Sequence, residues 1–260
     1  MRHWGKRGMV VAAALFQVSC SDWQPNTFTL VGELPPNFSY SARALYVPKL
    51  DAECTVKDWR WSMPEYNRPW RGEYEAEIKI DISTHMKGCQ MVLDAVEIRI
   101  YARWSDATPV DRTDSDVAAA LDIYSYYQGK HKRTLKGNDE DTFYGECRWM
   151  FRTAGKDRKL IKKLSCQQDT DRGESGEGMV YAVYTIDQLR GKTIKMNIRL
   201  NEEEQPTEQN KWVKFPNGWK RCMGIGYEDT YGYCNGDVSN FSDFTGPNGE
   251  ICSIHPGCRE

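Results

Sequence analysis

Residues 74–82 read YEAEIKIDI, with Tyr74, Ala76, Ile78, Ile80 and Ile82 alternating against Glu75, Glu77, Lys79 and Asp81. Successive side chains of a strand point to opposite faces, so this stretch is a strand with one dry and one wet face. Two further segments repeat the pattern. Val96, Ile98, Ile100, Ala102 and Trp104 alternate with Glu97, Arg99, Tyr101 and Arg103, and Ile194, Met196, Ile198 and Leu200 alternate with Lys195, Asn197 and Arg199. Shorter runs at 27–31, 38–47, 143–151, 159–166 and 179–186 add further strands. Many period-two strands with one wet face predict a mainly β chain, built as antiparallel β-sandwich-like sheets. One short helix is expected at 115–124, where Ser115 can cap a run placing Val117, Leu121 and Tyr124 on one side, with Ala118, Ala119 and Ala120 favouring helix.

The full chain has 260 residues, 40% of them hydrophobic and 28% charged, which excludes collagen, coiled coil and low-complexity disorder. A formal charge of -2 offers no general polycation for phosphate backbones, so nucleic acid is not expected as a partner. The polar stretch 128–141 reads as a linker between an N-terminal β unit (37–127) and a C-terminal β unit (142–260). Beyond residue 211 the chain holds Cys222, Cys234, Cys252 and Cys258 among many glycines and few aliphatic residues. A disulfide-rich, irregular C-terminal region is expected.

The first nineteen residues set Arg2, Lys6 and Arg7 before an apolar run from Met9 to Phe16. That run rises only about 12 Å as a helix, against a hydrocarbon core of roughly 30 Å, so it reads as a secretory signal and not a span. Its end, Gln17-Val18-Ser19-Cys20, resembles the lipobox of bacterial lipoproteins. The resemblance implies cleavage before Cys20, diacylglycerol on its sulfur and acylation of the new amine. Residues 20–36 then form the lipidated cysteine and a tether. Ser21, where an Asp would imply retention at the inner membrane, implies an outer-membrane anchor facing the periplasm. Removing the signal takes away three positive charges and no negative ones, shifting the formal charge from -2 to -5.

Nine cysteines is an odd number, and assigning Cys20 to lipid leaves Cys54, Cys89, Cys147, Cys166, Cys222, Cys234, Cys252 and Cys258. In an oxidising compartment these read as four disulfides. Chain entropy favours near neighbours, hence Cys147 with Cys166 and Cys222 with Cys234. No Cys-x-x-Cys pair suggests zinc. The acidic loop with Asp169, Asp171, Glu174 and Glu177 lacks the ligand alternation of a calcium loop and reads as a solvated hairpin loop.

No Gly-x-Ser-x-Gly elbow is present, and Gly224-Ile225-Gly226 lacks the third glycine of a phosphate cradle. No catalytic residue, cofactor or metal is expected. The most distinctive stretch is 59–71, WRWSMPEYNRPWR, with Trp59, Arg60, Trp61, Tyr66, Arg68, Trp70 and Arg71. Large stiff side chains and arginines are enriched at protein interfaces, so these residues form a candidate partner-binding loop. Packing as a satellite core, which Trp and Arg suit more commonly, is the competing reading, and a sugar-stacking platform is a third. In address, size and lack of catalytic motifs the chain resembles immunity lipoproteins that neutralise toxins such as the lipases of type VI secretion. That resemblance implies a non-enzymatic protein that binds and neutralises a partner protein. An envelope assembly lipoprotein and a carbohydrate-binding module or glycosidase are the alternatives.

Overall fold

The computed structural model describes residues 25–50, 61–62, 66–67, 74–104, 115–124, 139–169, 178–226, 228–229 and 231–259. In chain order its strands are β1 (Thr27–Leu34), β2 (Phe38–Pro48), β3 (Trp61–Ser62), β4 (Tyr66–Asn67), β5 (Tyr74–Asp81), β6 (Ser83–Met86), β7 (Cys89–Ala102) and β8 (Ser115–Tyr124). Then come β9 (Glu140–Ala154), β10 (Lys159–Asp169), β11 (Val180–Thr185), β12 (Thr193–Pro206), β13 (Trp212–Phe215), β14 (Gly218–Arg221), β15 (Phe244–Thr245) and β16 (Ile251–Cys252). One sheet runs β16-β15-β10-β9-β12-β1-β5. A second runs β11-β8-β7-β2-β3, with β4 on β2 and β6 on β7, and β13–β14 is a separate hairpin.

The alternation seen in the sequence becomes the sandwich. Ile78, Ile80, Ile194, Met196 and Phe143 of the first sheet share one buried cluster with Tyr40, Ile98, Ile100, Leu121 and Val180 of the second. Two buried tyrosines cross the core with their hydroxyls bonded: Tyr184 donates to Asp141 at 3.0 Å and Tyr46 to the Asp81 carbonyl at 2.7 Å. The sheets meet closely at Gly145, where a Cβ would stand 2.6 Å from Val180 Cγ2 and 2.8 Å from Ile198 Cδ1.

The chain is mainly β, and its pairing is mixed rather than purely antiparallel: β12 runs parallel to both β1 and β9, and β11 parallel to β8. Alternation reports which face of a strand is wet and carries no information about the direction of its neighbour. Parallel neighbours need long crossovers, and these interleave the halves. Both large sheets take strands from either side of 128–141, so that stretch does not part an N-terminal sheet from a C-terminal one.

The helix expected at 115–124 is strand β8, antiparallel to β7 and parallel to β11. Ala119, Leu121 and Ile123 are buried, the period-two reading of the same letters. Alanine's advantage in a helix is about half a kcal/mol per residue over ordinary residues, less than two hydrogen-bonded ladders and a buried face supply. The short helix lies instead at Ile186–Leu189, entered through a capping box in which the Gln188 carboxamide accepts from the Thr185 N–H at 2.8 Å.

Among the described residues, disulfides join Cys147 to Cys166, Cys222 to Cys234 and Cys252 to Cys258. The first two are the near-neighbour pairs expected from chain entropy. Cys89 is disulfide-bonded as well, and Cys20 and Cys54 lie outside the described residues.

Candidate functional site

The C-terminal region docks on the end of β9 and β10 through a second, smaller core. Phe151, at 0% exposure, meets the Trp212 ring edge-on at 4.9 Å and the His255 ring at 4.3 Å, while Trp212 packs edge-on against Phe244 at 5.4 Å. A buried cation pins this cap. Arg221 Nε donates to Thr153 Oγ1 of β9 at 2.7 Å, and Nη1 donates to Ser242 Oγ at 2.9 Å and the Cys222 carbonyl at 3.1 Å. Burial, and then the nearby Arg158, lower its pKa to about 10, which leaves it charged at neutral pH.

A carboxylate fastens the same cap from the other side. The register of β12 shifts between Asn201 and Gln205, a bulge that carries Glu204 to Lys162 Nζ at 2.5 Å and His255 Nε2 at 2.5 Å. Burial pushes the Glu204 carboxyl up, but hydrogen bonds from His255 and Lys162 outweigh that and hold it below its usual 4.5. A depressed carboxylate contributes stability that is complete above its unfolded pKa and is lost as pH falls through the lower, folded one. The melting temperature of the native chain is therefore expected to fall toward that of Glu204→Gln as the pH drops below 4.5, the two curves converging in acid. A gap that stays constant with pH would show that Glu204 acts by shape alone.

From this cap projects a loop closed by Cys222–Cys234. Backbone bonds tie it down, from Cys234 N–H to the Asn210 carbonyl at 2.8 Å and from Met223 N–H to the Asn240 carbonyl at 3.2 Å. Two aspartates gather hydrogen bonds, Asp229 within the loop and Asp237 just beyond it. Asp229 accepts from the N–H groups of Gly232, Tyr231 and Ile225 at 2.9, 3.0 and 3.3 Å, and these bonds, that of Gly232 foremost, lower its pKa. Asp237 accepts from the Ser239 hydroxyl, the Ser239 N–H and the Asn240 amide, which bring its pKa to about 2. Gly232, at φ 45°, lies against the Arg221 guanidinium and the Cys222 carbonyl, where any side chain would collide.

The result is an ordered crest that shows apolar groups to solvent. Ile225 is 90% exposed, Tyr231 70%, Val238 58% and Tyr233 39%. Lys211 Nζ lies 5.6 Å from the Tyr231 ring centroid and 4.7 Å from that of Tyr233, bringing the two rings to one cation. Aromatic and aliphatic side chains held in place by a disulfide and by backbone hydrogen bonds lose little entropy when a partner covers them. Chemically the crest can fill an apolar pocket.

No family model, curated protein or solved structure matches this chain.

Of the residues singled out from the sequence, Trp61 and Tyr66 lie on the short strands β3 and β4, both paired antiparallel with β2. Trp59, Arg60, Arg68, Trp70 and Arg71 lie outside the described residues, as do Asp171, Glu174 and Glu177 of the acidic loop. Asp169 is buried and takes Arg199 Nε at 2.5 Å, so it is spent on an ion pair. Glu250, Cys252 and Cys258 bring ligand atoms within 4.8 Å of one another, yet both sulfurs are joined in a disulfide and offer no thiolate to a metal. The crest residues Ile225, Tyr231, Tyr233 and Val238 were not picked out from sequence. For the first three the available signal was the tyrosine- and glycine-rich spacing between two paired cysteines, and Val238, beyond Cys234, had none.

Proposed function

We propose that this chain is an exported, lipid-anchored, non-enzymatic protein that binds and neutralises a partner protein at the outer membrane, as an immunity protein does for a secreted toxic phospholipase. The observation that carries the reading is the stapled crest, whose exposed Ile225 and Tyr231 lie within the Cys222–Cys234 bridge and are tied to Asp229 through their N–H groups, with exposed Val238 just beyond it. An exposed isoleucine on a mobile loop is commonplace, but apolar side chains locked outward have the form of interface anchors. Disulfides support the address, because such bonds persist in oxidising compartments. Acylation at Cys20 would hold the body at the bilayer and raise the local concentration of inhibitor where a lipid-degrading toxin must work.

The test is capture with the full-length, C-terminally tagged chain extracted from membranes, run beside Ile225→Asp and Tyr231→Ala. A protein retained by the native chain and released by both variants, at unchanged melting temperature, supports the reading. Each variant is expected to weaken binding by about 30-fold, the loss of roughly 2 kcal/mol typical of an interface anchor. A toxic hydrolase as the captured protein supports neutralisation, whereas a pilus or secretion subunit transfers the chain to envelope assembly. Capture indifferent to both substitutions overturns the role of the crest. Cys20→Ser is expected to leave the membrane fraction, and a variant that remains lipid-labelled overturns the anchor.

A further inference from the structure

The outward face of β9, β10 and β12 carries a groove of about 350 Å³ lined by Glu146, Arg148, Met150, Ser165, Gln167 and Gln205. Register builds it. Arg148 lies opposite Ser165 and Glu146 opposite Gln167 across β9–β10, while β12 returns from its bulge with Gln205 opposite Met150. The floor is fixed from beneath, because Cys147 lies between Glu146 and Arg148, Cys166 between Ser165 and Gln167, and the two are joined by a disulfide facing the core.

Chemistry of the lining selects the ligand. Glu146 is already engaged, accepting from Arg199 at 2.9 Å, Asn201 at 3.1 Å and Arg148 at 3.4 Å. Of the six lining side chains one is cationic and one anionic, so the groove brings no net charge. Ser165, Gln167 and Gln205 make no side-chain hydrogen bond to any of the described residues. A carboxamide presents donor and acceptor together and a hydroxyl does both, a set that matches ligand hydroxyls, which also donate and accept. A peptide would bind by adding a strand to a free sheet edge, but β9 lies between β10 and β12 and its backbone groups are committed to both ladders. Only side chains can read what enters. The volume lies at the lower end of small-molecule clefts, enough for one or two sugar rings.

We propose that this groove is a binding site for a neutral saccharide, read by Gln167, Gln205, Ser165 and Arg148 above the Cys147–Cys166 bridge. It is distinct from the crest, and its occupant is independent of the protein partner.

The test is calorimetric titration of the full-length chain, in an amine-oxide detergent free of sugar headgroups, with diacetylchitobiose, cellobiose and maltose, and with digalacturonate as the charged comparison. At least one neutral disaccharide is expected to bind. Gln167→Ala and Gln205→Ala should each weaken it about 2- to 10-fold and together by about 4- to 100-fold, as for the loss of one uncharged hydrogen bond per residue. Ser165→Trp, which fills the floor, should abolish binding while Ile225→Asp leaves it unchanged. Melting curves of the groove variants within a few degrees of the native chain confirm that they fold. The proposal is overturned if no neutral disaccharide binds at about 10 mM, if binding survives the double alanine variant, or if digalacturonate binds better, in which case Arg148 and the exposed Lys163 read an acid. None of these outcomes bears on protein capture by the crest.

Discussion

Arg221→Ala is expected to release the C-terminal cap while the sandwich stays folded, at a cost of about 3 to 5 kcal/mol. Arg221 is 1% exposed and is the bulkiest fully buried side chain among the described residues. Its bonds reach half-buried Thr153 of β9 and the buried Cys222 carbonyl and Ser242, so alanine would take a charged donor from two hydroxyls and leave the carbonyl only the longer 3.5 Å bond from Ser242 Oγ, beside a guanidinium-sized void. Removing one partner from a buried charged network costs far more than the net worth of the bonds, because the groups left behind stay desolvated. A whole domain holds only about 5 to 15 kcal/mol, so the local region gives way first. Arg221→Met separates the causes: it restores most of the volume and none of the donors, and should recover less than half of the loss. Hydrogen exchange read at individual amides is the measurement. Protection should collapse across β13, β14 and the Cys222–Cys234 loop and persist in β2 and β7. Loss of protection spread evenly over both regions would mean that the cap and the sandwich unfold together and that Arg221 does not set a boundary between them. Because Gly232 lies against the guanidinium, the crest should lose its order and its partner in the same variant.

How much of this the sequence discloses depends on how local each cause is. Ile78, Ile80 and Ile82, and likewise Ile98 and Ile100, are legible because their alternation needs only the chain's own pleat and one dry face. Strand β8 misleads for the opposite reason. Three alanines speak for helix, and the ladders to β7 and β11 that overrule them come from residues far along the chain. Pairing direction is equally non-local: nothing in Thr193–Pro206 tells that β12 runs parallel to β1 and β9. The bridges Cys147–Cys166 and Cys222–Cys234 were within reach, since short loops close at low entropic cost. The crest was not. Whether Ile225 and Tyr231 face out or in depends on which N–H groups Asp229 gathers, a feature of the folded loop alone. Composition drew the eye to Trp59–Arg71, while the groove on β9 and β10 is made of ordinary polar letters whose meaning comes from register.

That register is set by the β9–β10 ladder and braced by one covalent bond, whose removal should be felt in stability and in the groove. Cys147→Ala with Cys166→Ala is expected to cost about 3 kcal/mol from chain entropy alone. Further loss follows from the core, since both cysteines are buried, at 0% and 7% exposure. For a chain of this size, about 3 kcal/mol lowers the melting temperature by roughly 6 to 12 °C. The paired removal of Cys252 and Cys258 is the control. Its loop spans a sequence separation of 6 against 19, and it touches only the smaller cluster, so the loss should be smaller and confined to the cap. The backbone ladder of β9–β10 survives without the bridge, with Cys147 still opposite Cys166, so the strands stay paired but less firmly spaced. Glu146 and Arg148 flank one cysteine and Ser165 and Gln167 the other, and saccharide affinity in the double variant should fall even at temperatures where the protein is fully folded. A variant that melts early yet binds sugar as tightly as the native chain would confine the bridge to stability, with the groove then organised by the ladder alone.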